Sequence, residues 1–135
     1  MLTCREFGKV MIDRRKGKVV NLSSVRGIRA TYWGGNEGYA ATKGAIDMIT
    51  RSLSSEWAPY KINVNAIGPS TVATRFSEKT LQDPEKLKRF LASCPLGRVA
   101  QPADIVGACV FLSSAASDFI TGQIIYLDGG LTAIG

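Results

Sequence analysis

Histidine is absent from the 135 residues. That excludes Ser-His-Asp and Cys-His catalysis within the chain, and with them a zinc ion held by imidazole. Cysteine is scarce. Cys4, Cys94 and Cys109 lie far apart, are odd in number and lack C-x-x-C spacing, so neither a disulfide framework nor a metal cluster is expected and a reducing, cytoplasmic setting fits. Long apolar runs are missing too. The longest, Ile105 to Leu112, falls well short of the ~20 residues that cross a bilayer, so no membrane role is expected. Arg5 and Glu6 interrupt any apolar core of a signal peptide at the start. Acidic residues are outnumbered, 11 against 17 basic, for a net charge of +6. The densest basic run, Arg14 to Lys18, reads as a solvated helix end and not as a nucleic-acid surface, because cations are favoured at helix C-termini.

What remains is an ordinary globular composition, 45% hydrophobic and 21% charged, enough for one domain with a core. Apolar positions at Leu2, Phe7, Val10 and Met11 suggest a helix over residues 2–15, ended by Gly17. Lys18 to Ser23 is β-rich and reads as a strand. The glycine-rich stretch 24–37 reads as a loop, with Asn36 placed to cap the next helix. Ala41, Ala45, Met48, Ile49, Leu53 and Trp57 recur at steps of three and four, marking a helix over 38–58 that Pro59 stops. Residues 61–67 alternate apolar and polar as a strand does, and Pro69-Ser70 turns the chain. Residues 71–96 are polar and irregular, with short helices expected near 75–81 and 84–92. Pro102 suits a helix start, with the helix running to about Ser113, and residues 123–127 form a last strand before Asp128-Gly129-Gly130. Strands separated by helices imply parallel crossovers and an α/β layer fold.

One constellation stands out. Tyr39 and Lys43 are four residues apart and share a helix face. A nearby cation favours the ionised form of an acid, so this phenol is placed for general acid–base work. Ser23-Ser24 lies at the end of one strand and Pro69-Ser70 at the end of the next, with Tyr39 opening the helix between them. Ligands in open parallel sheets gather beyond such strand ends, so three segments converge on one edge. Together the groups point to redox chemistry at a C–O bond.

The motifs Gly17-Lys18-Val19-Val20-Asn21-Leu22-Ser23-Ser24, Tyr39-x-x-x-Lys43, Ile62-Asn63-Val64-Asn65-Ala66-Ile67-Gly68-Pro69 and Asp128-Gly129-Gly130 resemble, in order, the short-chain dehydrogenase/reductase family. The run Trp57 to Asn65 looks most like members acting on sugar acids and polyols, such as gluconate 5-dehydrogenase, although a 3-oxoacyl-carrier-protein reductase is similar there. The resemblance implies an NAD- or NADP-dependent oxidoreductase, cytoplasmic, with a small-molecule substrate. It implies that Tyr39 gives or takes the proton of the substrate oxygen, and that Lys43 favours the ionised phenol and hydrogen-bonds the nicotinamide ribose. It implies that Ser24, with Ser23 as runner-up, orients the carbonyl. Pro69, Ser70, Val72 and Thr74 match the loop that positions the nicotinamide, with no metal involved.

Three departures bear on these implications. Ser70 stands where the family usually has glycine, which allows backbone angles that serine resists. The loop around Tyr32-Trp33-Gly34-Gly35 looks slightly long, and Trp33 either lines a substrate pocket or is an exposed or interface aromatic. Finally, the Thr-Gly-x-x-x-Gly-x-Gly turn and the Asn-Asn-Ala-Gly strand end of the family's N-terminal half have no counterpart. The expectation is the C-terminal half of a Rossmann-like doubly wound sheet, three parallel strands with flanking helices, as one partial domain over 1–135 with a substrate-loop region at 71–98. That half lacks the cradle for the pyrophosphate. A dehydrogenase, incomplete as this chain alone, and a catalytically silent fragment or interaction module therefore both stand. The serine strand, 18–23, would be left as an open edge, and association of like chains is expected through it or through helices 2–15 and 38–58.

Overall fold

The computed structural model describes residues 2–31 and 35–134. Helix α1 (Leu2–Arg14) leads into strand β1 (Gly17–Leu22); a 3-10 turn (Val25–Gly27) and a loop precede the long helix α2 (Glu37–Trp57). A second 3-10 turn (Ala58–Tyr60) leads to strand β2 (Ile62–Pro69). Helices α3 (Glu78–Leu81), α4 (Pro84–Ser93) and α5 (Pro102–Ser113) then follow, with a 3-10 turn (Ala115–Ser117) and strand β3 (Ile124–Leu127). The strands form one parallel sheet in the order β1-β2-β3, as the alternation of helices and strands demands.

β2 is the centre of the molecule. From Val64 to Pro69 every residue is buried. Ile62 and Val64 point to one face and pack with Trp57 at the end of α2, joined by Cys4, Met11, Ile12, Val19 and Leu53. Of the polar members of the alternating pattern Lys61 is exposed, but the two asparagines turn to backbone groups of the protein. Asn65 is 1% exposed; its side-chain amide donates to Ile120 O at 2.8 Å and its carbonyl accepts from the Gln123 N–H at 3.0 Å. Asn63 likewise donates to Asp118 O and Ile120 O. The alternation therefore records not a half-exposed strand but a row of amides that latch the segment after α5 onto the sheet. Lys18 on β1 reaches the same segment, pairing with Asp118 at 2.7 Å.

Local signals differ from expectation in three places. The chain leaves α1 through Arg15, which takes the left-handed conformation (φ 48°). Gly17 instead opens β1, where a Cβ would stand 2.6 Å from the Met11 sulfur. Asn36 makes no side-chain cap bond; the carboxylate that accepts at this helix start is Glu37, from the Gly35 N–H at 3.1 Å. The helix expected near 75–81 is only Glu78–Leu81, because residues 71–77 are held as a loop: Val72 bridges Ala100, and the Thr74 N–H donates to Ser77 Oγ at 3.1 Å. Among the described residues no helix is long and apolar enough to cross a membrane.

Candidate active site

The register between β1 and β2 builds the site. Leu22 lies opposite Ile67, and the Ser23 N–H donates to Ile67 O at 2.8 Å, so Ser24 emerges beside the end of β2. The Ser24 hydroxyl donates to Pro69 O at 3.4 Å and accepts from the Arg26 N–H at 3.2 Å, capping the 3-10 turn that follows. The Ser23 hydroxyl turns instead to the backbone of α2, donating to Lys43 O at 3.3 Å. A strand end, a helix start and a second strand end meet there, as the sequence suggested.

Helix α2 delivers Tyr39 and Lys43. The Lys43 ammonium donates to Leu22 O at 2.9 Å and stands 5.5 Å from the centre of the Tyr39 ring. This ties the cation to the end of β1 and puts it next to the phenol. Tyr39 is 37% exposed, open to an incoming ligand. Its ring is 6.3 Å from that of Phe76, so the loop after β2 folds back over the tyrosine.

That loop carries the other candidate residues. Pro69 is buried and ends β2. Ser70 donates its N–H to Leu127 O at 3.2 Å. Arg15 and Lys61 are the non-glycine residues with positive φ among those described, so Ser70 needs no glycine geometry and the departure is accommodated. Val72 and Thr74 sit on the stretch pinned by Ala100 and Ser77. Trp33, assigned either to a pocket or to an interface, lies outside the described residues.

Two features escaped the sequence reading. Asp47, one turn beyond Lys43, is 2% exposed. Its Oδ2 accepts from the Tyr126 hydroxyl at 3.3 Å, while Oδ1 has no partner among the described residues. Burial, then the Asp47 charge and hydrogen bond, push the Tyr126 phenol above its ordinary value. Gly27 lies against this carboxylate, since a Cβ there would come within 2.5 Å of Asp47 Oδ2 and 3.2 Å of Lys43 O. The absent side chain lets the Ser24 turn rest on α2. Nothing in the sequence marks it, because the positions one turn away are Lys43, Gly44, Thr50 and Arg51 and the carboxylate reads as a surface partner of Lys43. The second feature is a cleft beside the serine turn of ≈ 820 Å³, into which Arg26, Arg29, Lys86 and Arg89 face.

Residues 1–132 match the family described as enoyl-(acyl carrier protein) reductase. The chain belongs to the short-chain dehydrogenase/reductase family. Within that family it is 39% identical over 128 residues to a galactitol 2-dehydrogenase (L-tagatose-forming) of Cereibacter sphaeroides, covering 95% of this chain and 50% of the relative. It is 38% identical over 122 residues to gluconate 5-dehydrogenase of Gluconobacter oxydans, covering 90% and 47%. The crystal structure of a gluconate 5-dehydrogenase from Burkholderia cenocepacia in complex with NADP and tartrate superposes with a TM-score of 0.95 at 36% identity, covering 98% of this chain and 51% of that one. The chain thus spans about half the length of the family members it matches.

Proposed function

We propose that this chain carries the proton-transfer and carbonyl-orienting part of an NAD(P)-dependent dehydrogenase acting between a carbonyl and a secondary alcohol, with a sugar acid or polyol as substrate. The observation that carries the reading is the cluster at the strand ends: Ser24 bonded to Pro69 O, Lys43 bonded to Leu22 O, and the Lys43 ammonium beside an exposed Tyr39. The kinship with gluconate and galactitol dehydrogenases supports the substrate class.

In the reducing direction Tyr39 donates its hydroxyl proton to the substrate oxygen, and in the oxidising direction it takes that proton back. Lys43 accompanies Tyr39 in both directions, with its ammonium 5.5 Å from the centre of the ring. Ser24 holds the substrate oxygen. Its bond to Pro69 O is long, at 3.4 Å, and is readily exchanged for a bond to a ligand. The donor set suits the nicotinamide end of the dinucleotide: Lys43 and Tyr39 offer an ammonium and a hydroxyl to its ribose, and the loop carrying Pro69, Ser70, Val72 and Thr74 lies alongside. When bound, the nicotinamide supplies or accepts the hydride. NAD and NADP share this end, so the reading covers both.

Like chains associate in this reading. Among the described residues β1 pairs only with β2, and Leu22 at its end is 58% exposed. Leu2, Phe7 and Val10 on α1 and Met48 on α2 are also exposed, which supports association through the helices as well. Three free thiols, Cys4, Cys94 and Cys109, accord with a cytoplasmic setting.

The test is NADH and NADPH binding by calorimetry, followed by turnover with D-gluconate, galactitol and a 3-oxoacyl thioester. Turnover that Tyr39→Phe reduces by about a hundredfold or more is expected, the scale of general acid–base catalysis. Full activity in that variant removes Tyr39 from its role. Absence of cofactor binding favours the interaction-module reading, which the open β1 edge supports. Preference for the thioester replaces the sugar acid as substrate.

A further inference from the structure

The cleft beside the Ser24 turn is walled by cations. Arg26 and Arg29 come from the serine loop, and Lys86 and Arg89 from α4, while among the described residues no aspartate or glutamate lines it. Lys86 is matched by Asp83 at 3.0 Å. The two arginines of the serine loop are held differently. Arg26 donates through Nη1 to Ala30 O at 2.8 Å and to Arg29 O at 3.4 Å, and Arg29 donates to Leu131 O. Backbone carbonyls orient both guanidiniums without neutralising them. Burial, and then repulsion from Arg29, work against the charge on Arg26, with Tyr39 opposing them. The Arg26 N–H also donates to Ser24 Oγ, so this charged wall continues directly from the serine placed on the substrate oxygen. Thr71, two residues beyond Pro69, lines the same cleft.

We propose that Arg26 and Arg29, with Arg89 across the cleft, form a subsite for an anionic group on the substrate, so that the site selects sugar acids over neutral polyols. The proposal rests on the dehydrogenase reading and narrows it. A planar carboxylate suits the forked donors of arginine. Polyol hydroxyls offer no charge to offset two guanidiniums held near each other by carbonyls. Phosphate oxygens of a dinucleotide share the same chemistry, and the experiment separates the two sources.

Binding of D-gluconate, galactitol and NADPH to the chain is measured by calorimetry or ligand-observed NMR, in low and in raised salt. Gluconate should bind at least about tenfold more tightly than galactitol, the scale of one charge-assisted hydrogen bond, and the advantage should shrink with salt. Arg26→Gln and Arg29→Gln keep a donor for the carbonyls and remove the charge. Each should lower gluconate affinity about tenfold and leave galactitol and NADPH unchanged, while Arg26→Lys should retain part of it. Arg89→Gln, at an exposed helical position, gives the same reading should the loop variants fail to fold. Equal affinity for gluconate and galactitol, no gluconate binding, or variants that weaken NADPH in place of gluconate would each overturn the subsite. Charge-dependent gluconate binding without turnover would overturn the dehydrogenase reading and leave the subsite standing.

Discussion

Replacing Gly27 with alanine tests how the site is held together. The new methyl would lie 2.5 Å from Asp47 Oδ2 and 3.2 Å from Lys43 O. Neither neighbour yields easily. Asp47 is 2% exposed and holds Tyr126, and Lys43 O belongs to the backbone of α2. The turn must therefore lift from the helix. Overpacking of this kind costs about 1–3 kcal/mol, which at this chain length lowers Tm by on the order of 5–10 °C. Lifting the turn also draws the Ser23 hydroxyl away from Lys43 O, the bond that ties this segment to α2. An Asp47→Ala background removes the closer contact and should shrink the penalty, a coupling that a double-mutant cycle reads directly. Gly38→Ala is the control, because nothing lies within 4 Å of a Cβ there and alanine favours a helix. If Gly27→Ala and Gly38→Ala melt at the same temperature, the close approach does not hold the serine turn and the reasoning fails.

Other perturbations check other parts of the structure. Asn65→Ala should cost about 2–4 kcal/mol in urea denaturation, since it strips partners from Ile120 O and the Gln123 N–H and leaves a cavity; a loss under about 0.5 kcal/mol would show that the amide latch is dispensable. The Asp104 carboxyl is held down to about 2, first by the Arg98 hydrogen bond and then by the Gln101 N–H. Its folded value lies below the unfolded one, so its contribution is present above the unfolded value and is lost as pH falls through about 2. Wild type and Asp104→Asn should accordingly differ slightly in chemical denaturation near about pH 5 and converge near about pH 2; a gap that widened in acid would contradict the sign. Leu22→Lys places a charge at the open edge of β1 and should shift sedimentation at micromolar concentration toward the monomer, whereas unchanged association would move the contact to α1 and α2.

Much of the site could be read from spacing alone, because it depends on order along the chain. Tyr39 and Lys43 needed only a helix, and Ser24 and Pro69 only two parallel strands ending together. What stayed hidden depends on contacts between distant segments. Asn63 and Asn65 look like solvent-facing positions until the segment at 118–123 closes over them. Gly17 and Gly27 look like loop punctuation, yet each marks a close approach, to Met11 in one case and to Asp47 in the other. Asp47 shares a face with Lys43, but a carboxylate one turn from a lysine reads as an ordinary surface pair until burial is known. The basic run 14–18 drew the eye to charge at a helix end, while the cations that gather in one cleft, Arg26, Arg29 and Arg89, are scattered along the chain.

The site inherits the weakness of its outermost strand. Ser24 follows β1, and Lys43 is moored to Leu22 O at its last residue. Among the described residues β1 is held on one side, by β2, and edge strands open at lower free energy than central ones. Each opening would remove the hydroxyl from the end of β2 and release the ammonium in the same event, so the fraction of molecules with an assembled site can never exceed the fraction with β1 zipped. Whatever closes that flank, a like chain or another polypeptide strand, would raise this ceiling without touching a substrate, so that pairing at the edge would be felt as chemistry at the site.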